Sequence, residues 1–159
     1  MAEKILIPLD GSKVGEAALP HIISLVTKLE CAGKVEITLL QVVSQLVHYV
    51  VVGEEAVRAP YTTQEIEQLK NRASQYLTKT GESLKETGAS VQVKVEIGHA
   101  AEEIIKAADE LKVDMIAMSS HGRSGLSRLA FGSVTDKVLH NANKPVLVVK
   151  APKSADNQE

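Results

Sequence analysis

The sequence predicts a single α/β domain built on a five-stranded parallel, doubly wound sheet of flavodoxin-like (Rossmann-like) order 3-2-1-4-5, carrying four helices. Three observations lead there. Short runs rich in β-branched residues alternate with longer stretches of helical spacing, the pattern of parallel strands joined by right-handed crossovers. The runs around Met115 and Val148 are almost wholly apolar, as strands covered on both faces must be. The 159 residues, 44% hydrophobic and 24% charged, suffice for one core and not for two.

Taken in order, the first strand is expected at Lys4–Leu9. A helix from Ser12 to about Glu30 follows, with Ala17, Ala18, His21, Ile22, Leu25, Val26 and Leu29 on one broad stripe. Val35–Val43 is the second strand. The stretch from about Thr62 to Glu86 is a long polar helix with Ile66, Leu69, Ala73, Tyr76, Leu77 and Leu84 at spacings of three, four and seven. Val91–Ile97, a helix over Ala100–Leu111, and Val113–Met118 come next. A fourth helix, Val134–Asn141, leads to Pro145, which opens the last strand, Val146–Val149, where a missing N–H does little harm. Gln45–Pro60 breaks the pattern. It reads as an irregular link on the sheet edge, or as an apolar flap through Val50–Val52. The domain is expected over residues 1–150, with a disordered polar tail at 151–159.

Composition narrows the function classes. Eighteen Lys and Arg against twenty Asp and Glu give a formal charge of −2, so no overall field draws in nucleic acid or an anionic membrane. The few aromatics, Tyr49, Tyr61, Tyr76 and Phe131, are not interleaved with basic residues as base-stacking surfaces require. A lone Cys31 excludes an internal disulfide and fits a reducing compartment. No apolar run approaches a membrane span, and MAEKILIPLD has no signal-peptide pattern. The expectation is a cytoplasmic protein without membrane or nucleic-acid partners.

Ligands of open parallel sheets bind beyond the carboxyl ends of the strands, where the strand order reverses. Two loops meet there: Pro8-Leu9-Asp10-Gly11-Ser12 after the first strand, and Ser119-Ser120-His121-Gly122-Arg123-Ser124-Gly125 after the fourth. Gly122 and Gly125 allow tight turns and close approach to an anion. Gly132-Ser133-Val134 then opens a helix, whose orphan N–H groups and positive dipole end suit a phosphate. Between Ser119 and Lys150 the bases Arg123, Arg128, Lys137, Lys144 and Lys150 face a single acid, Asp136. Against this stands a structural reading. Ser133-Val134-Thr135-Asp136 has a capping-box form, so Ser133 could simply cap the helix, and the glycines could serve geometry alone. Asp10 is a ligand contact or the head of an Asx-turn before a Ser12 N-cap. His121 is a loop residue or, less economically, an acid or base beside a phosphate.

These segments resemble the universal stress protein family. KILIPLDGSKVGEAAL looks like its first strand and helix start, ITLLQVV like its second strand, and VDMIAMSSHGRSGLSRLAFGSVTDKVLHNANKPVLVV like its C-terminal third. Nucleotide-binding members carry G-x2-G-x9-G-[ST]. Here Ser119 stands at the first glycine, Gly122 at the second, and Gly132-Ser133 close the pattern. The resemblance implies ATP, or AMP or ADP, at the switch point. Asp10 and the Val42 backbone would hold the adenine and ribose side, and 119–123 with Gly132-Ser133-Val134 would wrap the phosphates. The implied contact set is Pro8, Leu9, Asp10, Val42, Met118, Ser119, Ser120, His121, Gly122, Arg123, Gly125, Gly132, Ser133 and Val134. A Mg or Mn ion could bridge the phosphates. The resemblance also implies a homodimer paired through Pro145–Val149.

The leading expectation is an adenine-nucleotide-binding sensor or regulator of the stress response. Its rivals are a slow ATPase or phosphoryl or adenylyl transferase, and a nucleotide-free dimeric interaction module. The phosphate loop offers no carboxylate, which argues against efficient hydrolysis.

Overall fold

The computed structural model describes residues 2–28, 34–44, 47–121 and 131–151. Strand β1 (Glu3–Pro8) leads through a 3-10 turn (Gly15–Ala18) to α1 (Leu19–Lys28) and β2 (Val35–Val43). A hairpin, β3 (Val47–Val52) and β4 (Glu55–Pro60), precedes α2 (Thr63–Lys85). Then come β5 (Ser90–Ile97), α3 (Ala100–Glu110), β6 (Met115–Ser119), α4 (Ser133–Asn141) and β7 (Val146–Val149). The main sheet runs β5-β2-β1-β6-β7 with every pair parallel. Counting only its own strands, that is third, second, first, fourth, fifth. The labels differ from the expected numbering because two further strands intervene in the chain.

Period-2 alternation sends successive side chains to opposite faces and so builds two cores. Ile5, Ile7, Ile37 and Leu39 pack with Leu19, Ile22 and Val26 of α1 and Leu77 and Leu84 of α2. Leu6, Leu40, Ile116 and Met118 pack with Ile104 and Ala108 of α3 and Val138 of α4. Each fully buried Leu or Ile contributes about 1.5–3 kcal/mol of transfer free energy, so the paired layers hold the strand ends in register.

Three expectations are corrected. The first helix does not run unbroken from Ser12, because Pro20 lacks the N–H an interior position needs. The chain therefore winds a 3-10 turn and starts α1 at Leu19, with Pro20 in its first turn. Gln45–Pro60 is not an irregular link: it holds an antiparallel ribbon pairing Val47 with Pro60 through Val52 with Glu55. Finally, Ser133 does not cap α4. Gly132 is the N-cap, with no side-chain bond, and Ser133 is the first helical residue. By contrast Thr62 caps α2 in a full capping box: its hydroxyl accepts from the Glu65 N–H at 3.2 Å while its own N–H donates to Glu65 Oε2 at 2.7 Å. That backbone bond holds the Glu65 carboxyl below its ordinary range. Of the tail, only Ala151 lies within the described residues.

Candidate functional site

The carboxyl ends of β1 and β6 are tied together before either meets a ligand. After β1, the Leu9 N–H still pairs with the Leu40 carbonyl at 2.8 Å. Asp10 then turns the chain: its Oδ1 accepts from the Ser12 N–H at 3.0 Å and from Ser12 Oγ at 2.6 Å, an Asx-turn. Ser12 Oγ in turn accepts from the Gly15 N–H at 3.0 Å. After β6, Ser119 is buried and its hydroxyl donates to the Val14 carbonyl at 2.9 Å. The Ser119 carbonyl accepts from Thr135 Oγ1 at 2.9 Å, and the Ser120 carbonyl from the Gly132 N–H at 2.8 Å. The end of β6 and the start of α4 thus form one rigid corner.

Between these ends lies a cavity of about 600 Å³, within the range of small-molecule sites. Pro8, Leu9, Asp10, Val42, Met118, Ser119, His121, Gly132, Ser133 and Val134 all line it. Ser120 does not. It is buried, and its hydroxyl lies 3.0 Å from His121 Nδ1 and accepts the Ala151 N–H at 2.9 Å. Gly122, Arg123 and Gly125 lie outside the described residues. Of the expected cationic surround, no described member lines this cavity, and Arg123 and Arg128 lie outside the described residues. Lys137 lines a separate recess of about 140 Å³, with His99 and Glu102, while Lys144 and Lys150 line neither.

One wall was not anticipated. Tyr61 and, along α2, Leu69, Arg72, Ala73 and Tyr76 close the cavity opposite α3 and α4. The signal was present: residues 69, 72, 73 and 76 occupy one helical face. It reads as core stripe, and in the structure Leu77 and Leu84 lie in the core, Tyr76 packs against it while also lining the cavity, and Leu69 lines the cavity. Tyr76 donates to Glu16 Oε1 at 2.9 Å, and burial followed by that bond raises its hydroxyl above the ordinary tyrosine range. Among the described residues lining the cavity, Arg72 is the lysine-or-arginine cation and Asp10 the carboxylate.

Chemically, this arrangement offers the N-terminus of α4 behind its glycine N-cap, a hydrogen-bonding Asp10 beside an apolar wall, and His121. Gly132 has φ −68, so its backbone needs no glycine; a Cβ there would lie 3.5 Å from the Ser120 carbonyl and His121 Cα, in ordinary contact. The profile of the universal stress protein family matches residues 1–150. The chain belongs to that family. It is 34% identical to universal stress protein MJ0577 of Methanocaldococcus jannaschii, across 97% of this chain and 98% of that one. The solved MJ0577 structure superposes with a TM-score of 0.71 at 28% identity, covering 97% of this chain and 99% of that one. Two further solved universal stress proteins share the fold at 17% identity each. One, in complex with cAMP, has a TM-score of 0.61 and covers 95% of this chain and 98% of its own. The other, from Archaeoglobus fulgidus in complex with dAMP, has a TM-score of 0.57 and covers 94% and 98%.

Proposed function

We propose that this universal stress protein binds an adenine nucleotide in the switch-point cavity and acts as a nucleotide-dependent regulator in a stress response. The observation that carries the reading is the start of α4. It opens on the cavity behind Gly132, an N-cap with no side chain to bond its first N–H groups, so these are donors for phosphate. Asp10 and the end of β2 then stand where a nucleoside would lie. The cAMP and dAMP bound by two proteins of this fold support the same class of ligand.

In this reading ATP, ADP or AMP is the ligand, Ser133 and Arg123 face the phosphates, and Asp10 orients the nucleoside. A Mg or Mn ion would be held chiefly by phosphate oxygens and water, since no group of three or more His, Cys, Asp or Glu among the described residues could hold it. Binding is favoured over turnover because the cavity's one described carboxylate, Asp10, is engaged in its Asx-turn. The reading includes a cytoplasmic homodimer joined through Pro145–Val149, since β7 is an edge strand of apolar residues that, among the described strands, pairs only with β6. No described helix is long and apolar enough to cross a membrane.

The test is calorimetric titration of protein freed of co-purified nucleotide with ATP and AMP, with and without magnesium. Saturable binding that Gly132→Val abolishes is expected, because the branched side chain projects into the corner between Ser120 and His121. Absence of binding would give the nucleotide-free interaction module first place.

A further inference from the structure

We propose that the β3–β4 ribbon is a second self-association element, in which the outer edge of β3 pairs antiparallel with β3 of another copy of this chain. The proposal does not depend on the nucleotide reading. The ribbon is a sheet of its own. Two strands alone are marginal in water, and three or more are needed for independent stability. This ribbon is also unusually bare: Tyr49 is 71% exposed, Val51 74% and Val52 64%. It is fastened at its base, where His48 and Tyr61 stack at 4.5 Å between ring centres. A two-residue turn closes its tip, with Gly53 at φ 67 supplying the left-handed first position of a type II′ hairpin.

The two outer edges differ in kind. With a two-residue turn, Val52 and Glu55 are a hydrogen-bonded pair, and alternation makes Val47 and Pro60 a non-hydrogen-bonded one. The Pro60 nitrogen therefore faces the outer edge of β4 and removes a donor there. Arg58 and Glu55 add charge to the same strand. Pro and charge are the devices by which natural edges resist pairing. β3, reading VHYVVV, carries neither proline nor carboxylate nor Lys or Arg, and its outward N–H groups belong to Val47, Tyr49 and Val51.

A second copy suits this edge because an uncharged strand is its own complement. Pairing about a two-fold axis yields β4-β3-β3-β4, with valines central and Pro60, Arg58 and Glu55 on the outermost strands. It also sets the acidic tips, Glu54-Glu55, at opposite ends. Six residues span about 20 Å, well beyond the screening length of about 8 Å in physiological salt. Parallel association would instead bring those tips side by side. Residues opposed across an antiparallel pair share a face, so the axis must pass beside a residue, and the fullest overlaps place it at Tyr49 or Val50.

Light scattering on the full-length chain tests this. Val51→Lys should lower the wild-type mass at equal concentration, to that of the assembly a β7 contact holds by itself or, without such a contact, from two copies to one. Ala56→Lys, across the ribbon on β4, should leave the mass unchanged. In a Cys31→Ser background, Tyr49→Cys or Val50→Cys should form a disulfide-linked pair on mild oxidation, and Ala56→Cys should not. Equal masses for wild type and Val51→Lys would overturn the proposal. Equal disruption by Val51→Lys and Ala56→Lys would also overturn it, showing contact through a face of the ribbon instead of its edge.

Discussion

The Ser119 hydroxyl donates to the Val14 carbonyl at 2.9 Å, tying the end of β6 to the turn that follows β1. The same oxygen lies 3.4 Å from the His121 N–H, its donor. By the resemblance read from the sequence, Ser119 stands where the nucleotide-binding pattern has glycine. Here the hydroxyl is spent on the scaffold, binding together the two loops that flank the cavity.

Ser119→Gly is therefore expected to cost stability without improving binding. A lost hydrogen bond and the added freedom of glycine amount to about 1–2 kcal/mol. Urea unfolding should show that loss, while the affinity for ATP stays within about threefold, well under a tenfold step of 1.4 kcal/mol. An affinity gain beyond tenfold would mean that the serine side chain obstructs the ligand.

Ser133 separates the capping reading from the ligand reading. As the exposed first residue of α4, behind a Gly132 cap, its hydroxyl holds no N–H of its own helix. Ser133→Ala should change stability by less than about 0.5 kcal/mol, where loss of a true cap would cost about 1 kcal/mol. Nucleotide affinity should fall by about tenfold, the value of one hydrogen bond to a charged group. A stability loss with unchanged affinity would reverse the assignment.

Tyr76 carries the pH dependence of the α2 wall. Tyr76→Phe removes the bond to Glu16 and should cost about 1 kcal/mol at pH 7. The folded-state pKa is raised, chiefly by burial. The stabilisation is thus complete below the unfolded value of about 10 and declines as pH rises above it, because the unfolded chain gives up its proton first. Unfolding at pH 7 and pH 10.5 should show the gap between wild type and Tyr76→Phe narrowing. A gap that widens would contradict the sign.

Much of this molecule was legible because parallel sheets leave strong local marks. The runs around Met115 and Val148 are almost wholly apolar, as doubly covered strands must be, and the expected bounds Val35–Val43 and Val146–Val149 match those observed. Alternation of strand and helix then leaves few topologies, and these put the first and fourth strands of the sheet, β1 and β6, at the switch. What stayed hidden depends on three dimensions. Leu69 and Leu77 lie on one stripe of α2, yet one lines the cavity and the other lies in the core. Periodicity reports a face, not the height at which the sheet beneath it ends. Val47–Val52 reads as ambiguous because its valines meet neither core. Ser133 shows a third limit: a capping-box pattern one residue late in frame is still a capping-box pattern to the eye.

Gly15 offers the sharpest test of how the cavity is held. It is buried against the Asx-turn, and a methyl group built on it would overlap Asp10 Oδ1. Gly15→Ala must therefore displace the oxygen that accepts from Ser12 N and Ser12 Oγ, opening the turn that sets Asp10 at the cavity edge. Overpacking of this kind costs about 1–3 kcal/mol. If Asp10 orients the nucleoside, affinity should fall with stability. The Asp10→Ala background distinguishes the clash from other effects of the added methyl. With the carboxylate gone the overlap is relieved, so Gly15→Ala should then change stability and binding little, and the two substitutions should be strongly non-additive. A double-mutant cycle by urea unfolding and titration reads both quantities. Simple additivity would mean that Gly15 acts through the 3-10 turn itself, and that the position of Asp10 is set elsewhere.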